Sequence, residues 1–129
     1  MPHQSVETFG EFLMLKLRDN ALESFESLRK GRERAPSLQK LQADLATLSK
    51  TQQEIVQRTL VSCLDSGLHD FLFALQERRD FEADISLTVN GVDIVDEEAG
   101  QHEGIHYELF DEDGWFAKYS DFGEPPPEA

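Results

Sequence analysis

The sequence predicts an α+β domain: three N-terminal helices packed on a C-terminal four-stranded antiparallel meander built from two hairpins. Three observations predict it. Apolar residues recur at helical spacing up to about residue 78, the period then changes to two, and Asn90-Gly91 interrupts the alternating stretch where a tight turn would stand. The chain length of 129 residues gives room for one domain, expected over residues 1–122, followed by a flexible, proline-rich acidic tail at 123–129.

The first helix is expected from about Ser5 to Lys30, because Phe9, Leu13, Leu17, Ala21, Phe25 and Leu28 step by four or three, with Phe12 and Leu22 widening the stripe. Ser5 can cap its start, and Gly31 can close it. Ser37 is placed to cap a second helix whose stripe is Leu38, Leu41, Leu45 and Leu48. Ser49 and Gln52 have capping-box spacing and predict a restart. The third helix, about Lys50 to Arg78, carries Val56, Leu60, Leu64, Leu68, Leu72 and Leu75, joined by Cys63 and Phe71. With Ile55 and Phe73 it is apolar around much of its circumference, which implies cover on more than one side. Gly67 in its middle costs roughly 1 kcal/mol relative to alanine, a cost that close approach of another backbone would explain.

Beyond Asp84, Ile85, Leu87 and Val89 alternate with Ser86 and Thr88 before Asn90-Gly91. A type I′ turn there sets Val89 opposite Val92 and Leu87 opposite Ile94, with all four on one side of the sheet. Two further strands are expected at about Ile105–Phe110 and Trp115–Ser120, joined around Asp111-Glu112-Asp113-Gly114 with Gly114 as a left-handed bulge residue. That register puts Ile105, Tyr107, Leu109, Trp115, Ala117 and Tyr119 on one face. On the other it pairs Phe110 with Phe116 and Glu108 with Lys118.

Charge is the most informative feature for function. The formal net charge is −14, yet residues 1–50 hold eight Lys/Arg and seven Asp/Glu, a net of +1, while residues 81–129 hold one Lys/Arg and fourteen Asp/Glu, a net of −13. A field of that sign repels polyanions, so nucleic acid and anionic membrane are not expected as partners, and a basic protein is. The single cysteine excludes an internal disulfide and a thiolate cluster. No secretory leader and no membrane span is visible, which makes the cytoplasm the expected location.

Motifs for catalysis are absent. There is no Gly-x-Ser-x-Gly elbow and no glycine-rich phosphate loop. Cys63 lies on an apolar stripe, where a thiol is ordinary packing. Asp65 and His69, four apart, have the spacing of an oriented histidine, but no second ligand pair accompanies them. His102, His106 and Glu108 could contribute to zinc binding, yet two histidines four apart on a strand stand roughly 13 Å from one another. Asp111-Glu112-Asp113-Gly114 begins like a calcium loop, but its twelfth residue is Phe122. No cofactor, no metal and no catalytic residue is assigned, and the expectation is a protein that is not an enzyme.

The expected interaction surface is the outer sheet face and its turn: His106, Glu108, Phe110, Asp111, Glu112, Asp113, Phe116 and Lys118. Aromatic anchors within an acidic surround suit a protein–protein hot spot. Small size, strong acidity and helices ahead of a meander resemble bacterial immunity proteins that neutralise a toxin. The resemblance carries no motif and no residue role, and it implies a non-enzymatic inhibitor; the charge makes the expected partner basic, and the expected oligomeric state is a monomer or weak homodimer. The alternatives are a small metal-dependent or acid/base enzyme using His69, His102, His106 and nearby carboxylates, and a structural or dimerisation subunit.

Overall fold

A computed structural model describes residues 2–96, 99, 103–110 and 112–123. The residues expected to form the tail, from Glu124 on, lie outside that set. Helix α1 (Pro2–Leu13), a π-helical stretch (Met14–Asp19) and α2 (Asn20–Arg29) form one helical rod, since the backbone is right-handed helical at both junctions. Helix α3 (Pro36–Ala46) and the long α4 (Lys50–Phe81) follow, then a hairpin of β1 (Thr88–Val89) and β2 (Val92–Asp93), a 3-10 turn (Ile105–Leu109) and the short α5 (Trp115–Tyr119).

The described residues are 70% helical, with one two-stranded hairpin and no four-stranded meander, so the α+β prediction is overturned. The first hairpin stands as predicted. Val89 pairs with Val92, Asn90 and Gly91 both have positive φ, and the Ile94 amide donates to the Leu87 carbonyl at 3.0 Å. The second does not form, because the apolar residues of its two halves serve helical spacing. Trp115, Lys118 and Tyr119 stand at i, i+3 and i+4, so one helical face aims all three at the carboxylate of Glu7. A strand would have turned Lys118 away from the other two. The predicted Glu108–Lys118 pair is accordingly replaced by Lys118 with Glu7. Gly114 is not left-handed but extended, at φ −77°. Glycine is needed there because a β-carbon would overlap the Phe110 carbonyl.

Helix signals fared better. Ser49 Oγ accepts from the Gln52 amide at 3.1 Å while Gln52 Oε1 accepts from the Ser49 amide at 2.8 Å, a complete capping box. At α3 the start is Pro36 in the first turn, where its missing N–H costs nothing, and Ser37 is not the cap. Ala83, with φ 54°, closes α4 by donating its N–H to the Arg78 carbonyl at 2.7 Å.

The core joins α1 and the C-terminal half of α4 to the later segments, through Val6, Met14, Leu72, Ile94, Leu109 and Trp115. Leu22, Phe25 and Leu45 are buried apart from it, where α2 packs on α3 and α4. The inward stripe of the first rod differs from the predicted one: Phe12 and Leu17 are exposed, and Arg18 and Asp19 are buried. These two charges have dedicated partners. Arg18 binds Asp65 through two hydrogen bonds of 2.8 and 3.0 Å, donates to Ser120 Oγ and to the Gly123 carbonyl, and stacks over Phe116. Asp19 accepts from Ser120 Oγ and the Asp121 amide. The π-helical turn thus ties the end of the described chain to α4, and Asp65 is committed to Arg18, not to His69. Glu7 is a second anchor. Burial raises its pKa, but hydrogen bonds from Lys118, Trp115 and Tyr119 outweigh that and hold it below the ordinary value.

Candidate functional site

Gln76 on α4 builds the site's foundation. It is buried, donates to the Val95 carbonyl at 2.7 Å and to Asp80, and accepts from the Ile105 amide at 3.0 Å. Ile105 is thereby pinned to the helix, and the 3-10 turn that starts there delivers His106 and Tyr107 beside α4. His69 and Phe73 sit four residues apart on α4 with rings parallel within 6° and centroids 6.4 Å apart. The His106 ring packs edge-on against both, at 5.3 Å from His69 and 4.9 Å from Phe73. Tyr107 lies 4.2 Å from His106, and Phe110 lies 6.0 Å from His69.

These five rings form one patch with a buried centre and an open rim. His106 is buried, whereas Phe73, Tyr107 and Phe110 are 43, 50 and 42% exposed. Nδ1 of His106 is buried without a hydrogen-bond partner among the described residues. Burial, and then the neighbouring His69, hold the pKa of His106 below the ordinary imidazole value, so the neutral ring is favoured. His69 Nδ1 is 3.1 Å from Asp70 Oδ1, close enough for the carboxylate to orient the ring. Glu103, Glu112 and Asp113 are exposed on the 3-10 turn's flanks. Acid near the end of α4 is partly neutralised by its last-turn arginines: Arg78 binds Asp84 and Arg79 binds Asp93.

The residues singled out from sequence separate into groups. His106 and Phe110 belong to the patch; Glu112 and Asp113, two and three residues beyond Phe110 in sequence, are exposed. Phe116 is buried, in edge contact with Phe110 at 5.8 Å. Glu108 is buried as well, and Lys118 is drawn off to Glu7. Asp111 and His102 lie outside the described residues. Cys63, expected to pack, is exposed. Phe73 and Tyr107 were missed. The i, i+4 spacing of His69 and Phe73 was a legible signal, but the strand reading turned Tyr107 toward the helices.

Among the described residues no three His, Cys, Asp or Glu side chains gather where they could hold a metal ion. No described helix is long and apolar enough to cross a membrane. No family model, curated protein or solved structure matches the chain.

Proposed function

We propose that the chain is a non-enzymatic binding protein that receives a basic partner protein on the patch of His69, Phe73, Tyr107 and Phe110. The observation that carries this reading is the gathering of partly exposed rings around a buried neutral His106, in the acidic part of the sequence. Ring faces attract guanidinium and ammonium groups, by about 0.5–2 kcal/mol depending on desolvation. Exposed carboxylates at Glu112 and Asp113 speed the approach of such groups. Neutralisation of a basic toxin or nuclease is one role of this kind.

The test is anisotropy titration with arginine-rich and lysine-rich peptides. Tyr107→Ala and Phe110→Ala should each weaken binding about tenfold at unchanged charge, the equivalent of about 1.4 kcal/mol. Glu112→Lys with Asp113→Lys should slow association and reduce its salt dependence. Binding that follows salt alone and ignores both rings rules the reading out.

The contact between His69 and His106 favours a second reading, an acid/base or metal-dependent enzyme using both rings. Zinc titration by calorimetry separates the two. Micromolar binding abolished by His69→Gln and by His106→Gln would favour the enzyme.

A further inference from the structure

We propose that α4 is a self-association face, along which two copies of this chain pack antiparallel about a two-fold axis near Gly67. Helix α4 has 32 residues, and only its later part is buried in the core, through Leu68, Leu72, Leu75 and Gln76. A different side of the helix carries Val56, Leu60, Cys63, Gly67, Phe71 and Ala74, at steps of four, three, four, four and three. None of the six is charged, and none is buried. Phe71 is 59% exposed. At Gly67 no atom of the described residues comes within 4 Å of where a β-carbon would stand. The close backbone approach that would explain this glycine is therefore not made within one described chain.

Side-chain size selects the direction. With the axis at Gly67, Leu60 of one copy meets Ala74 of the other, Phe71 meets Cys63, and glycine meets glycine. Leu60 and Phe71 each find a small residue, as interdigitated packing requires, while Val56 falls opposite the side chain of Arg78. A parallel pair would set Phe71 on Phe71 and Ala74 on Ala74, a clash beside a gap.

Charge selects the same direction. Arg29 and Lys50 share a surface cleft with Glu26, Gln53, Glu54 and Gln57, so residues 29–34, which hold four cations and one glutamate, begin beside the first turns of α4. Part of the acid lies at its other end, where Asp84 and Asp93 pair with Arg78 and Arg79 and where Gln76 binds Val95 and Ile105. Antiparallel copies bring the carboxylates at the end of α4 in each beside the cations at the start of α4 in the other, whereas parallel copies would set like charges together. From Leu60 to Ala74 the mutually facing stripe runs about 21 Å at 1.5 Å per residue. That length places the contact among small interfaces, below about 1,200 Å² in total, and so among weak dimers.

Sedimentation velocity on the full chain between about 1 µM and about 500 µM tests the proposal. The mass of the natural chain should climb from 14.7 kDa toward twice that value. Phe71→Glu and Ala74→Arg, both at exposed positions, should hold it at the monomer mass with an unchanged circular dichroism spectrum. On mild oxidation Cys63→Ser/Gly67→Cys should cross-link between copies. The natural Cys63 should not, because antiparallel packing offsets the two thiols by about 12 Å along the axis, beyond disulfide reach. A monomer throughout the range overturns the proposal. So does a dimer indifferent to both substitutions, or one joined through Cys63, which would require parallel packing.

Discussion

The indole of Trp115 lies against the backbone of Gly10, so near that a β-carbon on residue 10 would overlap ring atoms. Trp115 is fully buried there and meets the neighbouring Phe9 edge-on. A glycine in mid-helix normally costs roughly 1 kcal/mol against alanine, so this contact supplies the reason for tolerating it. It also docks α5 on α1.

The two mid-helix glycines should therefore respond to alanine with opposite signs. Gly10→Ala gains helix propensity but forces the indole out of a packed site, and overpacking costs about 1–3 kcal/mol even for small additions. A net loss of about 2 kcal/mol is expected, a fall of about 1 M in the urea midpoint at a typical slope for a small domain. Gly67→Ala meets open space and should stabilise the monomer by about 0.5–1 kcal/mol. Measuring it on the Phe71→Glu background removes any contribution from self-association. Stabilisation by Gly10→Ala would contradict the packing at Trp115, and destabilisation by Gly67→Ala the open space at residue 67.

The Arg18–Asp65 pair sets a double-mutant cycle. Side-chain exposures of 1 and 11% leave little water to replace a lost partner. Asp65→Leu strands a buried guanidinium and should cost about 3 kcal/mol. Arg18→Met/Asp65→Leu removes the stranded charge and should recover about 1–2 kcal/mol of that loss by urea unfolding. Ser120→Ala takes a hydrogen bond from both Arg18 and Asp19 and should lower stability by about 1–2 kcal/mol.

Local chemistry made the helices and one hairpin legible. Ser49 and Gln52 act through atoms three residues apart, and Asn90-Gly91 through its own φ angles, so neither depends on the rest of the chain. The later segments depend on distant partners. Alternation in Ile105–Phe110 and Trp115–Ser120 imitates strands, but the decisive interactions come from Glu7 and Gln76, which are remote in sequence. The inversion of Leu17 and Arg18 has the same origin. Hydrophobicity puts Leu17 inside, while Asp65 and Ser120 make Arg18 the better buried residue. Of the candidate site, His106 and Phe110 were readable as neighbours, but their company with His69, Phe73 and Tyr107 required knowing that the turn folds back on α4.

Glu7 should steepen the acid limb of stability. Its folded-state pKa lies below the ordinary 4.5, so its contribution is present above that value and is lost as pH falls through the lower folded one. Glu7→Gln should therefore be less stable than the natural chain at pH 6 and lose less stability on acidification below about pH 4.5. Urea midpoints at stepped pH check both parts. Parallel acid limbs for the two proteins would show that the three donors do not favour the carboxylate.

His106 should act in the same direction at higher pH. Its folded-state pKa is depressed from 6.5, so the unfolded chain takes up the proton more readily than the folded one. The stability that neutral His106 contributes is fully present above about 6.5 and is lost as pH falls toward the folded value. Proton NMR titration of the His106 ring should give a midpoint below 6.5. Because burial and then the proximity of His69 are the causes, His69→Gln should move the midpoint upward without restoring the ordinary value. A peptide that covers the patch should move it further down, since exclusion of water from the rim adds to the burial of the ring. A midpoint indifferent to His69→Gln would mean that the two imidazoles do not sense one another.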